Sequence, residues 1–94
     1  MQFLAITRRF TERFSQAEFD AALGPEADAA RARYARGDFR EIYSRGDVPG
    51  AVLLIEADSA EAARALMDEL PMAQRGMMEI QIVPLRPYRG FVGG

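Results

Sequence analysis

S-A-E-A-A-R-A-L-M-D-E-L-P over residues 59–71, M-A-Q-R-G over 72–76 and M-M-E-I-Q-I-V-P-L-R-P-Y over 77–88 decide the fold. The first segment is an amphipathic helix. Asp58 reads as its cap, with Glu61 three residues on, and Ala63, Leu66, Met67 and Leu70 follow the i, i+3, i+4, i+7 spacing of one buried stripe. Leu70-Pro71 stops it, and a loop comes next. Met77 to Val83 then reads as a strand with polar Glu79 and Gln81 on one face. Pro84 and Pro87 pin the tail behind it.

Outward from that stretch, residues 2–8 alternate as a strand. Phe3, Ala5 and Thr7 share one face, and Leu4 and Ile6 share the other. Ser15 and Glu18 form a capping box, with Phe14 and Phe19 as the hydrophobic staple around it. Gly24-Pro25 divides residues 16–36 into a helix at 16–23 and another at 25–36, ended by Gly37. Ala29, Ala32, Arg33 and Arg36 leave the second thin in large apolar groups, with Tyr34 as its anchor. Residues 38–45 alternate again, turn residues occupy 46–50, and 51–57 is a nearly continuous apolar strand.

The order is βαββαβ, the α+β, ferredoxin-like arrangement, over residues 1–94 as one domain with a flexible end at 89–94. Right-handed crossovers put the helices on one face of the sheet. Leu4, Ile6, Leu53, Ile55, Met78, Ile80 and Ile82 are expected on that side. The bare face then carries Phe3, Ala5, Phe39, Glu41, Tyr43, Val52, Leu54, Glu56, Glu79, Gln81 and Val83. Such a set is too apolar for water and too polar for an ordinary core. A face-to-face homodimer would enclose it as a cavity.

Composition narrows the chemistry. The 94 residues carry a formal net charge of −2, no cysteine and no histidine, and all twelve basic residues are arginine. Disulfides, thiolate chemistry, an imidazole base, a Schiff-base lysine and a His/Cys metal site are excluded. The acidic balance speaks against nucleic acid as a partner. No apolar run reaches the ~20 residues of a membrane span. The expectation is a cytoplasmic protein.

Residues 35–88 carry a family resemblance. Gly37-Asp38-Phe39-Arg40-Glu41-Ile42-Tyr43, the apolar strand after the turn, and A-R-A-L-M-D-E-L-P-M followed by M-M-E-I-Q-I resemble muconolactone isomerase and its relatives. The resemblance implies a dimeric α/β barrel, higher homo-oligomers built from such dimers, and proton transfer within a small lactone acid without a cofactor. Where the family has an aromatic–Arg–His–Leu–aromatic pattern, this chain puts Glu41 in the histidine's place.

Glu41 and Glu79 are therefore the candidate bases, with Tyr43 as the partner that orients or protonates an oxyanion. Phe39, Arg40, Glu56 and Gln81 are the candidate substrate-binding residues. No metal site and no cofactor are expected, and the ligand is a small molecule. Two alternatives stay open: a non-catalytic binding or assembly module of the same fold, and a cofactor-free monooxygenase.

Overall fold

β1 (Gln2–Arg9) lies in the interior of a four-stranded antiparallel sheet of order β2-β3-β1-β4, flanked by β3 (Ala51–Glu56) and β4 (Met78–Leu85). β2 (Phe39–Ser44) closes the other edge. A computed structural model describes residues 1–92 of the chain. α1 (Gln16–Arg36), α2 (Ala60–Asp68) and the short α3 (Pro71–Gln74) connect the strands, and α4 (Arg89–Val92) is a single turn after β4. The main core lies between the sheet and the helices, around Phe3, Phe39, Ile55 and Met67. This is the ferredoxin-like βαββαβ fold.

The capping box at Ser15 and Glu18 forms, with each side chain meeting the other residue's backbone amide. Gly37 ends α1 in the left-handed conformation (φ 85°) with its amide bonded back to the last turn, a position glycine occupies without Cβ strain. Between those caps α1 is one helix. It runs through Gly24-Pro25 instead of dividing there. Proline removes one backbone bond, but Phe19 and Ala22 before it are buried, and Ala29 and Ala30 after it pack on the core. Packing on both sides holds the helix through the defect. Tyr34 is not an anchor: it is 57% exposed, and buried Phe19 takes that role.

Three further boundaries differ. Ser59, not Asp58, caps α2, accepting from the Ala62 amide. The segment after Leu70-Pro71 is no loop: Pro71 opens α3 from its first turn, where its missing N–H costs nothing. β4 runs on to Leu85. The tail at 89–94 includes the helical turn Arg89–Val92; residues 93–94 lie outside the described residues.

The largest correction concerns which face β1 shows to the helices. Directly paired residues share a face. Phe3 pairs with Ile55, and Ala5 with both Leu53 and Ile82. Phe3, Ala5 and Thr7 are therefore buried beneath the helices, and Leu4 and Ile6 lie on the bare face. Thr7 explains how a polar residue occupies the inner face. Its hydroxyl accepts from the Ala51 amide at 2.9 Å and replaces a backbone partner. Phe39 is also inward, paired with Ile55 and 1% exposed. A bulge between Phe39 and Glu41 adds one residue, so Glu41 and Tyr43 keep to the bare face opposite Leu54 and Val52. Leu53, Ile55, Met78, Ile80 and Ile82 lie on the helix side, as expected.

Candidate functional site

The bare face presents half-buried Leu4, Ile6, Val52, Leu54 and Val83, edged by polar groups. Of the residues singled out by sequence, Glu41, Tyr43, Glu79 and Gln81 stand on it and are exposed. The Tyr43 hydroxyl donates to Glu41 Oε1 at 2.7 Å. That bond to a carboxylate raises the phenol above its ordinary range. Glu79 accepts from Arg8 Nε at 3.0 Å, and Arg8 also grips Glu12 with two nitrogens. Glu56, at the strand end, holds the N-terminal ammonium at 2.6 Å, which lowers its carboxyl. Arg40 is exposed at the bulge. Phe39 is not with them, because its ring fills the core on the opposite face.

A second site lies on that opposite face. α1 presents Ala27 and Ala30 to the sheet, and these small side chains leave a void above Thr7, Ala51 and Leu53. Its volume is about 120 Å³, near the ~150 Å³ that admits one benzene-sized ring. Leu70, Met67, Met72 and Met78 supply a soft apolar wall. Two ionisable side chains line it, Glu26 and Arg9.

Glu26 is half-buried, and its Oε1 accepts from the Met72 amide at 2.8 Å. It thereby satisfies one orphan donor at the start of α3, whose own cap position, Leu70, has no side-chain oxygen to offer. Burial pushes the carboxyl above its usual range, while the Met72 amide and the Arg9 and Arg33 charges pull it down. Burial is the larger effect. Arg9 packs its guanidinium over the Phe19 ring, 5.6 Å from the centroid. Arg33 is spoken for by the Leu66 and Ala29 carbonyls and by Glu69.

The site therefore joins a partly desolvated carboxyl, a cation and an apolar wall sized for one small ring. Sequence reading passed over Glu26. A signal was nevertheless present: an alanine-rich helix face beside an interior Pro25-Glu26 marks a place where helix and sheet stand apart. Among the described residues, no group of His, Cys, Asp or Glu side chains is arranged to hold a metal ion, and no helix is long and apolar enough to cross a membrane.

Comparison with known proteins agrees with this fold. A crystal structure of muconolactone isomerase superposes with a TM-score of 0.76 at 17% identity, covering 94% of this chain and 91% of that one. The 5-chloro-2-hydroxyhydroquinone dehydrochlorinase of Burkholderia phenoliruptrix, solved in complex with 2,5-dihydroxybenzoquinone, superposes with a TM-score of 0.69 at 12% identity. It covers 96% of this chain and 98% of that one. At such identities the likeness is one of fold. No curated protein sequence matches. The family model for muconolactone delta-isomerase matches residues 1–90, nearly the whole chain, and the protein belongs to that family.

Proposed function

We propose that this protein binds a small carboxylated lactone in the pocket between α1 and the sheet and moves a proton within it without a cofactor. The observation that carries this reading is Glu26: a carboxyl raised by burial, in an apolar void, beside a cation. A base for this task works best with a pKa lifted toward the working pH. Glu26 takes the proton from the far (γ) carbon of the α,β-unsaturated lactone, leaving a dienolate. It then returns a proton at the carbon beside the lactone carbonyl, so the double bond shifts and nothing else is gained or lost. Arg9 holds the substrate carboxylate. The Thr7 hydroxyl donates only a long 3.4 Å bond to the Ala51 carbonyl, and is free to turn toward the enolate oxygen.

The bare face has its own role in this reading. A second copy docks there, covering the apolar residues of β1, β3 and β4, and the assembly works in the cytoplasm. A second reading places the chemistry on that face, with Glu41 or Glu79 as base, Tyr43 as proton partner, and Arg40, Glu56 and Gln81 binding substrate. The 2.7 Å Tyr43–Glu41 bond favours it. The Arg8 guanidinium, which already engages Glu79 at 3.0 Å, weighs against Glu79 as that base.

Incubation with muconolactone in deuterated water, followed by proton NMR, tests the proposal. Deuterium is expected to enter beside the carbonyl, at a rate unaffected by a metal chelator. A lactone that keeps all its protons over many enzyme equivalents overturns the isomerase reading. Exchange that survives Glu26→Gln but not Glu41→Gln or Glu79→Gln moves the chemistry to the bare face.

A further inference from the structure

Ile42 breaks a rule that the inner face of the sheet otherwise keeps. Its cross-strand partner is Leu53, so its side chain stands on the helix side. Phe39, Leu53 and Ile55 on that face are 3% exposed or less, whereas Ile42 is 40% exposed. The course of α1 is the reason. Its first turns bury Phe19 and Ala22 with Met72 and Met77, beside the start of β4. Its last turn leads through Gly37 into β2 at the far edge of the sheet. The helix therefore crosses the strands obliquely and leaves uncovered the corner where β2 ends and β3 begins. Ser44 and Ala51 pair across that corner, the first exposed and the second half-buried.

That corner is one end of the lactone pocket. Each strand lends the pocket a side chain: Ile42 from β2, Leu53 from β3, Thr7 from β1 and Met78 from β4. The void thus runs across the sheet. Met72 shuts its β4 end and is 1% exposed. The two ionisable groups belong to that half, since Arg9 pairs with Met78 in the sheet and Glu26 accepts from the Met72 amide. Towards β2 the wall is Ile42, and apart from Glu26, α1 brings nothing larger than Ala27 and Ala30 to the pocket.

This asymmetry orients a ligand. With its carboxylate on Arg9 and its γ carbon beside Glu26, a lactone turns the carbonyl side of its ring towards β2. The void, about 120 Å³, is filled by one ring, so any further group on that ring has to leave through the open corner. We propose that Ile42 forms the mouth of this pocket and sets which ring substituents a lactone can carry: small alkyl groups beside the carbonyl pass out over Ile42, and groups on the γ carbon meet the closed methionine end. The inference rests on the lactone reading of the pocket. An exposed edge isoleucine with no such role would leave ligand choice untouched.

Titrations followed by the methionine methyl signals test it, using muconolactone and its homologue methylated beside the ring carbonyl. The wild type is expected to bind both lactones with similar affinity. Ile42→Trp narrows the mouth. It should still bind muconolactone but weaken the methylated lactone by about tenfold or more, the weight of one methyl group against an apolar wall that cannot take it. Ile42→Phe, a milder narrowing that suits an edge strand, should fall between, and it decides the matter if Ile42→Trp does not fold. A wild type that binds muconolactone but rejects the methylated lactone overturns the inference. So do folded variants that lose both lactones alike or neither, and in these cases the pocket reading still stands. No methionine shift with muconolactone in the wild type overturns the pocket reading itself, and this inference with it.

Discussion

Glu26→Gln is expected to lower lactone turnover by about 10²–10⁴-fold, the contribution of a positioned general base, while leaving the protein at least as stable at neutral pH. Glutamine keeps the shape, and its carbonyl oxygen can still accept from the Met72 amide. What it cannot do is take a proton. The stability half rests on the direction of the pKa shift. The folded carboxyl sits above its ordinary value of 4.5 because burial disfavours its charge. Below that value both folded and unfolded chains hold the proton, and the group is neutral to stability. As the pH climbs, the unfolded chain releases its proton first, so stability falls until the folded carboxyl has ionised too. Glutamine removes that loss. Melting curves of the two proteins should therefore separate at neutral pH in favour of the variant, and the gap should narrow as pH drops toward 4.5. A large fall in both turnover and melting temperature would instead make Glu26 a cap for α3 and nothing more.

Gly50→Ala is expected to cost at least about 3 kcal/mol. Gly50 sits where the β2–β3 connection crosses the end of β1, beside the pocket, with φ at 159°. A Cβ there would lie 2.1 Å from the Thr7 carbonyl oxygen and 2.9 Å from its carbon. Both are backbone atoms of a strand in the sheet interior, so no side chain can swing aside. Relief requires moving β1 or breaking the bonds that tie this corner: Arg45 amide to Gly50 carbonyl, Arg9 amide to Pro49 carbonyl, and Ala51 amide to Thr7 hydroxyl. A domain of this length has a total stability of about 5–14 kcal/mol, and each kcal/mol is worth ~4–8 °C. The melting temperature should drop by ~12 °C or more, measured by scanning calorimetry. A drop below ~4 °C would mean that the corner yields, and with it the fixed position of Thr7 in the pocket.

The pattern of strands and helices was legible because most elements carry their own signals: the Ser15 capping box, the stripe from Ala63 to Leu70, the continuous apolar run at 51–57. The inner face of β1 was not. Phe3 and Ala5 alternate with Leu4 and Ile6, so both faces are apolar and hydropathy has no vote. A single step of register reverses every side chain, and polar Thr7 tips the reading the wrong way. Only its pairing with the Ala51 backbone, a contact across 44 residues, reveals why it faces inward. Phe39 was misplaced for a related reason, since the bulge breaks strict alternation between it and Glu41. The bare-face positions of Glu79 and Gln81 were readable from their alternation with Met78, Ile80 and Ile82, whereas Glu41 and Tyr43 part from Phe39 only through the bulge. Glu26 was not readable, because its character comes from tertiary surroundings: a gap left by alanines, an amide from α3 and a cation from the end of β1. α1 was divided in reading because proline usually ends a helix, whereas here packing on both sides outweighs one lost bond.

The central claim is that the lactone pocket lies beneath α1 and not on the bare face. Methyl NMR during titration with muconolactone tests it most directly, because Met67, Met72 and Met78 line the pocket while Leu4, Leu54 and Val83 report on the other side of the sheet. The account predicts saturable shifts of those three methionine methyls, with little change at Leu4, Leu54 and Val83. Shifts confined to Leu4, Leu54 and Val83, with the three methionines unmoved at saturation, would contradict it.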